Sequence, residues 1–304
     1  MELRDRFRGC LLGLACGDAV GTTVEFKPRG SFSPITDMVG GGPFGLQPGQ
    51  WTDDTSMALC LATSLVECRG FDARDQMERY VAWMNEGYLS STGTCFDIGF
   101  TTSEALYRFQ ATGEPFSGST DPGRAGNGSL MRLAPVPLYF YPDVAATIHY
   151  AAESSRTTHG APEAVDACRY FSLVLNRALA GADKDETLFT APALPAGAPL
   201  LSPTIEAIAR GSYRDKEEPA IASSGYVVDS LEAALWSFYT TDSYEAAILR
   251  AANLGDDADT IAAITGQIAG AHYGVQAIPS HWLARLAMRE EIQSLADRLL
   301  HQSL

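Results

Sequence analysis

Nowhere does this sequence run for the roughly 20 uninterrupted apolar residues that a membrane-spanning helix needs, so a helical membrane protein is not expected. No C-x-x-C pair occurs among its cysteines (Cys10, Cys16, Cys60, Cys68, Cys95 and Cys168), and most of them lie among apolar neighbours, as small buried thiols do. A reducing compartment follows as the expectation. Basic clusters are absent too. Lys and Arg number 22 against 37 Asp and Glu, a formal net charge of −15, and the longest basic grouping is Arg4, Arg6 and Arg8, interrupted by Asp5. Such a field repels a phosphate backbone and an anionic membrane, so no nucleic acid is expected as a bulk partner. Charged residues precede the first apolar run, which Asp18 breaks, so the N-terminal stretch does not read as a signal peptide and a cytoplasmic protein is expected. No repeat with a period of roughly 20 to 50 residues appears, against a solenoid.

What the sequence does contain is ordinary globular composition, 304 residues with 46% hydrophobic and 19% charged. Apolar residues recur at helical spacing, as in Met57, Leu59, Leu61, Leu65 and Val66. The spacing predicts an all-α protein with helices over about 3–20, 55–68, 74–87, 97–111, 144–155, 163–180, 227–239, 244–254, 259–274 and 287–301. Start signals stand before several of them: Thr52, Asp53 and Asp54; Asp143; Asp242 with Ser243. Two segments rich in Gly or Pro, Lys27 to Gly49 and Ala191 to Pro203, read as surface loops. Candidate site residues lie on both sides of the second, so one domain over 1–304 is expected, with 191–203 a Pro/Ala-rich surface loop.

The strongest local feature is Trp51-Thr52-Asp53-Asp54-Thr55, two carboxylates and two hydroxyls where a helix begins. It fits a helix cap facing the dipole, and it also fits a site for a hard cation such as Mg²⁺ or Mn²⁺, which takes oxygen ligands. A second cluster, Gly255-Asp256-Asp257-Ala258-Asp259-Thr260, also opens a helix. Capping does not need three carboxylates, and the two clusters together supply about six oxygens, a number suited to two cations sharing one site. Gly126-Asn127-Gly128-Ser129 is a glycine-flanked turn, either an ordinary tight turn or a backbone cradle for a phosphate. Nearby Arg132 is expected to pair with an internal carboxylate rather than with that phosphate.

Together these residues resemble the ADP-ribosylglycohydrolase family, in particular the bacterial dinitrogenase reductase-activating glycohydrolase group. The matching blocks span the chain: Arg8 to Gly21 (RGCLLGLACGDAVG), Val24-Glu25-Phe26, Thr52-Asp53-Asp54-Thr55, Gly126-Asn127-Gly128, Thr158-His159-Gly160, Gly225-Tyr226-Val227, Asp257-Ala258-Asp259-Thr260 and the tail Ile278 to Leu283. The resemblance implies a compact single-domain orthogonal helical bundle with a dinuclear Mg²⁺ or Mn²⁺ centre. Its implied metal ligands are Thr52, Asp53, Asp54, Asp257, Asp259 and Thr260. Implied substrate-binding residues are Gly99, Gly126, Asn127, Gly128, Ser129, His159 and Tyr226. For the last two the residues alone also allow a helix-end histidine and a packed core tyrosine.

The implied reaction cleaves the bond between C1″ of ADP-ribose and an acceptor. Departure of the acceptor builds oxocarbenium character at C1″, which a nearby carboxylate acting as acid or base eases. Asp97 is the first candidate for that carboxylate and Glu25 the second; a helix-capping role is the plain alternative for Asp97. The Phe96-Asp97-Ile98-Gly99 setting favours arginine as acceptor, with an ADP-ribosylated protein as substrate, ADP-ribose as product, and a monomer as the working form. Other ADP-ribose conjugates (serine-, ester- or small guanidine-linked) and a non-catalytic ADP-ribose binder are the alternatives. Asp256 stands where many family members have glycine, and Ser129 where close relatives often have alanine or glycine. Asp18, in a helix that reads as buried, is expected to be structural or to orient a ligand.

Overall fold

The computed structural model describes residues 1–190 and 200–303, so most of the expected loop 191–203 lies outside the described residues. Fourteen α-helices are found among the described residues. In chain order they are α1 Leu3–Gly21, α2 Asp53–Cys68, α3 Ala73–Glu86, α4 Phe100–Thr112, α5 Pro135–Phe140, α6 Val144–Thr158 and α7 Pro162–Ala180, followed by α8 Lys184–Phe189, α9 Pro203–Ala209, α10 Val227–Tyr239, α11 Tyr244–Ala252, α12 Ala258–Tyr273, α13 Ser280–Arg285 and α14 Arg289–Ser303. β-structure among the described residues is limited to isolated bridges such as Gly126 with Tyr226. The all-α expectation holds, and no helix among the described residues is long and apolar enough to cross a membrane.

All ten helices expected from apolar periodicity are present. One boundary matters for function: the helix expected from residue 97 begins at Phe100 with Gly99 as N-cap, so Asp97 precedes it and does not cap it. The unforeseen helices α5, α8, α9 and α13 are six or seven residues long, too short for a helical period to show. Two expected caps form, Asp143 accepting from Ala146 N–H and Ser243 from Ala246 N–H. Asp242 has no part in the second.

The central contact is between α1 and α12, which run antiparallel. Gly9, Gly13, Gly17 and Gly21 recur every fourth residue and so share one face of α1. Opposite them stand Gly270, Gly266, Ala262 and Ala258. A Cβ added at Gly17 would lie 2.1 Å from the Ala262 carbonyl oxygen, and one at Gly13 would lie 2.5 Å from that of Gly266. The backbones therefore touch, and the buried Tyr244 side chain from α11 donates to the Gly13 carbonyl at 2.7 Å. This seam sets the last turn of α1, with Asp18, beside the first turn of α12, with Asp259 and Thr260.

The glycine-rich 27–49 segment is a loop, as expected, but it is fastened down. Trp282 Nε1 and Arg285 Nη1 of α13 both donate at 2.7 Å to Asp37, and His281 Nε2 lies 3.0 Å from it. Asp37→Ala leaves the indole N–H of buried Trp282 without its acceptor, and the expected cost is about 2 kcal/mol. Chemical denaturation reads the loss, and faster amide exchange in α13 locates it.

Candidate active site

The two acidic helix starts, more than 200 residues apart in sequence, lie side by side. Thr52 and Asp257, at the N-cap positions of α2 and α12, accept no capping hydrogen bond from the backbone of their own helices. α2 is capped from outside instead. Asp18 accepts from Thr52 N–H at 2.9 Å and Oγ1 at 3.0 Å, and from Thr55 N–H at 3.1 Å and Oγ1 at 2.6 Å. With those helix donors met by Asp18, Asp53 and Asp54 are left free for other work.

Thr52 Oγ1 lies 3.2 Å from Asp54 Oδ2 and 3.3 Å from Asp259 Oδ2, and Thr260 Oγ1 is 3.3 Å from the same Asp54 oxygen. One oxygen each from Asp18, Asp54 and Asp259 fall within 4.8 Å of one another, and so do one each from Glu25, Asp257 and Asp259. Asp259 belongs to both sets, which makes them two adjoining oxygen clusters. Asn127 Nδ2 holds Asp257 at 2.6 Å and Ser230 Oγ at 2.8 Å, and Glu25 Oε2 accepts from Asp259 N–H at 3.2 Å.

Burial, and after it the repulsion of neighbouring carboxylates, pushes Asp18, Glu25, Asp53, Asp54, Asp97 and Asp257 above the usual carboxylate range. Asp54 Oδ1 is buried with no hydrogen-bond partner. A group of acids in this condition calls for a bound cation or for protons.

The surrounding backbone is strained. Phe26, Asp97 and Asp256 have φ of 62°, 61° and 55°, a left-handed conformation that costs a non-glycine residue on the order of 1 kcal/mol. Phe26 N–H donates to Asp256 O at 2.8 Å and Asp256 N–H to Lys27 O at 2.9 Å, so two of these residues are zipped together above the acids. Asp256, where glycine was the family expectation, also accepts from Ser223 Oγ at 3.0 Å.

Over the clusters opens a cleft of about 640 Å³. Its walls include the acids Glu25, Asp53, Asp97, Asp257 and Asp259, together with Gly99, Gly126, Asn127, Gly128 and His159. Among its lining residues none is Lys or Arg. Thr52 and Asp54 lie buried beneath it. Of the other expected substrate contacts, Ser129 is buried behind the glycine turn, accepting from Ser155 Oγ at 2.8 Å, and is not part of the lining. Nor is Tyr226, the N-cap residue of α10, whose hydroxyl donates to Glu163. Arg132 is a correction: it bonds no carboxylate among the described residues, and its guanidinium donates to carbonyl and hydroxyl oxygens while stacking 4.7 Å from the Tyr80 ring centroid.

Sequence reasoning missed the four-bond grip of Asp18 on α2 and the restraint of Asp257 by Asn127. A charged residue in the glycine-striped apolar helix α1 was the available sign of the first. The second depends on a contact between residues 130 apart, which no local pattern carries.

Fold and site define a class: an all-helical protein whose helix starts gather carboxylates under one cleft, which a glycine turn and a histidine also line. The model of the ADP-ribosylglycohydrolase family matches residues 1–304, and the chain belongs to that family. It is 44% identical over 302 residues to the ADP-ribosylarginine hydrolase Tri1 of Serratia proteamaculans, covering 99% of this chain and 81% of that one. Identity to the protein of the same name from Pseudomonas putida is 47% over 299 residues, covering 98% and 79%. Identity to the ADP-ribosyl-[dinitrogen reductase] glycohydrolase of Rhodospirillum rubrum, the group singled out from sequence, is lower at 32% over 307 residues, covering 98% and 97%. A solved structure titled an ADP-ribosylglycohydrolase-related protein complex superposes with a TM-score of 0.87 at 44% identity, covering 100% of this chain and 99% of that one.

Proposed function

We propose that this protein is a hydrolase that removes ADP-ribose from a modified arginine side chain, with two divalent cations, Mg²⁺ or Mn²⁺, held by Thr52, Asp53, Asp54, Asp257, Asp259 and Thr260. The observation that carries the reading is the pair of oxygen clusters joined at Asp259 on the floor of the cleft. The donor set fits hard cations: carboxylate and hydroxyl oxygens only, no cationic side chain in the lining, and an orphaned Asp54 Oδ1. The names of the two relatives above 40% identity support arginine as the acceptor. One domain over 1–304 fits as well, since the buried core joins α1 to α14 across the whole order of the chain.

When bound, the cations would acidify and orient the water that adds to C1″. The chain does the rest. Asp18 takes the Thr52 hydroxyl hydrogen, which leaves that oxygen's lone pairs turned inward. Asn127 and Ser230 fix Asp257. Gly126, Gly128 and His159 face the diphosphate and riboses, and Asp97, on the acid side, meets the acceptor. In the overall change water adds to C1″ as the C1″–N bond breaks, and the proton water loses ends on the departing guanidine. Asp97 is our candidate to hold or move that proton, while Glu25 accepts from Asp259 N–H and belongs to one of the oxygen clusters.

The test is a panel of arginine-, serine- and ester-linked ADP-ribose conjugates, read by release of free ADP-ribose. Arginine conjugates are expected to be cleaved, and Asp97→Asn to slow that cleavage by about 100-fold or more. Release from serine- or ester-linked conjugates alone overturns the acceptor. Tight ADP-ribose binding with no release from any conjugate makes the protein a binder.

A further inference from the structure

His159 sits where α6 ends, 2% exposed, with its ring against the glycine turn. Its Nε2 points toward Gly126 and Gly128: a Cβ built on Gly128 would lie 2.7 Å from Cε1 and 3.1 Å from Nε2, and one on Gly126 3.4 Å from Nε2, so the glycine at 128 makes room for this edge of the ring, and His159 lines the cleft. The other nitrogen, Nδ1, is 2.9 Å from Thr158 Oγ1. A third residue decides the direction of that bond. Arg132 Nη2 donates to the same Thr158 oxygen at 2.7 Å, and a guanidinium can only donate. The Thr158 hydroxyl hydrogen has no other acceptor among the described residues, so it goes to Nδ1. Were Nδ1 protonated, two donors would converge on Thr158 and its own hydrogen would be buried without an acceptor.

The structure assigns His159 the neutral Nε2–H tautomer, set by Arg132 acting through Thr158, so that it meets the ligand as a fixed donor to an anionic oxygen. Arg132 and Thr158 are positioning residues, and neither lines the cleft. Arg132 Nη1 also donates to the Gly128 carbonyl at 2.7 Å, so one buried guanidinium holds both the glycine turn and the histidine that face the same ligand atoms. Burial first, and the Arg132 charge second, lower the His159 pKa to about 3, consistent with a ring that stays neutral. The choice of the ADP-ribose diphosphate as acceptor rests on the proposed function; the tautomer does not.

The tautomer is read by ¹⁵N NMR of the histidine rings at neutral pH in the full-length protein with Mg²⁺, the His159 signals being identified by their loss in His159→Gln. A pyridine-type Nδ1 and a pyrrole-type Nε2 are expected. Thr158→Val is expected to shift that population and weaken ADP-ribose binding about tenfold by calorimetry, and Thr158→Ser to restore both. A pyrrole-type Nδ1 in the wild-type protein overturns the assignment, as does an unchanged tautomer in Thr158→Val whatever the affinity does. If Thr158→Val does not fold, the wild-type spectrum and Thr158→Ser, expected to keep the wild-type pattern, decide it. If the wild-type protein shows the expected tautomer but binds no ADP-ribose, the assignment stands and the reading of the cleft fails.

Discussion

Alanine at Gly17 is expected to destabilise the protein by about 3 kcal/mol, lowering its thermal midpoint by roughly 6 °C. Two effects oppose each other here. Gly to Ala in a helix interior gains up to about 1 kcal/mol of backbone entropy. Against it, the new Cβ meets the Ala262 carbonyl oxygen at 2.1 Å and its carbon at 2.6 Å, backbone atoms of a second helix that cannot swing aside as a side chain would. The overpacking is the larger effect, and relief requires α1 and α12 to separate. Separation moves Asp18 and the first turn of α2 away from Asp259, so cation affinity is expected to fall with stability. Gly99→Ala is the control: it has ordinary φ and nothing within 4 Å of a built Cβ, and its stability is expected to stay within about 0.5 kcal/mol of wild type. Differential scanning calorimetry on the two variants separates a crowded seam from a general intolerance of glycine replacement.

Asp259→Asn is expected to act on stability in opposite directions with and without cations. Asp259 repels Asp18, Glu25, Asp53, Asp54, Asp97 and Asp257, so neutralising it relieves the cation-free protein and leaves its midpoint equal to or above wild type. Because Asp259 belongs to both oxygen clusters, the same change weakens both cation positions, and the rise in midpoint that Mg²⁺ or Mn²⁺ gives the wild type is expected to vanish. Release of ADP-ribose is expected to fall by about 1000-fold or more. Midpoints measured with chelator and with Mn²⁺ read both signs. A variant that loses stability equally in both conditions makes Asp259 a packing residue.

The long helices are legible because each carries several turns of apolar period, and the acidic starts of α2 and α12 are legible because carboxylates exceed what a cap uses. The seam that joins them is not. Gly9, Gly13, Gly17 and Gly21 form a visible stripe, yet only the facing Ala258, Ala262, Gly266 and Gly270 turn it into backbone contact, and the two runs stand over 230 residues apart. Asp97 illustrates a local failure: its apolar neighbours extend the helical period, whereas the chain takes a left-handed turn at Asp97 and starts the helix at Phe100. Arg132 illustrates a different one. Charge pairing predicts a carboxylate partner, but carbonyl and hydroxyl oxygens gathered from α6 and the glycine turn accept from both terminal guanidinium nitrogens instead, leaving Nε buried without a partner among the described residues.

The central claim is cation-dependent cleavage of ADP-ribose from arginine, and the most direct measurement is release of free ADP-ribose from an arginine-ADP-ribosylated protein by the metal-stripped chain, before and after Mg²⁺ or Mn²⁺ is restored. The account predicts no release in chelator and full release on restoring the cation. Equal release in both conditions, or none from arginine with cation present, would contradict it.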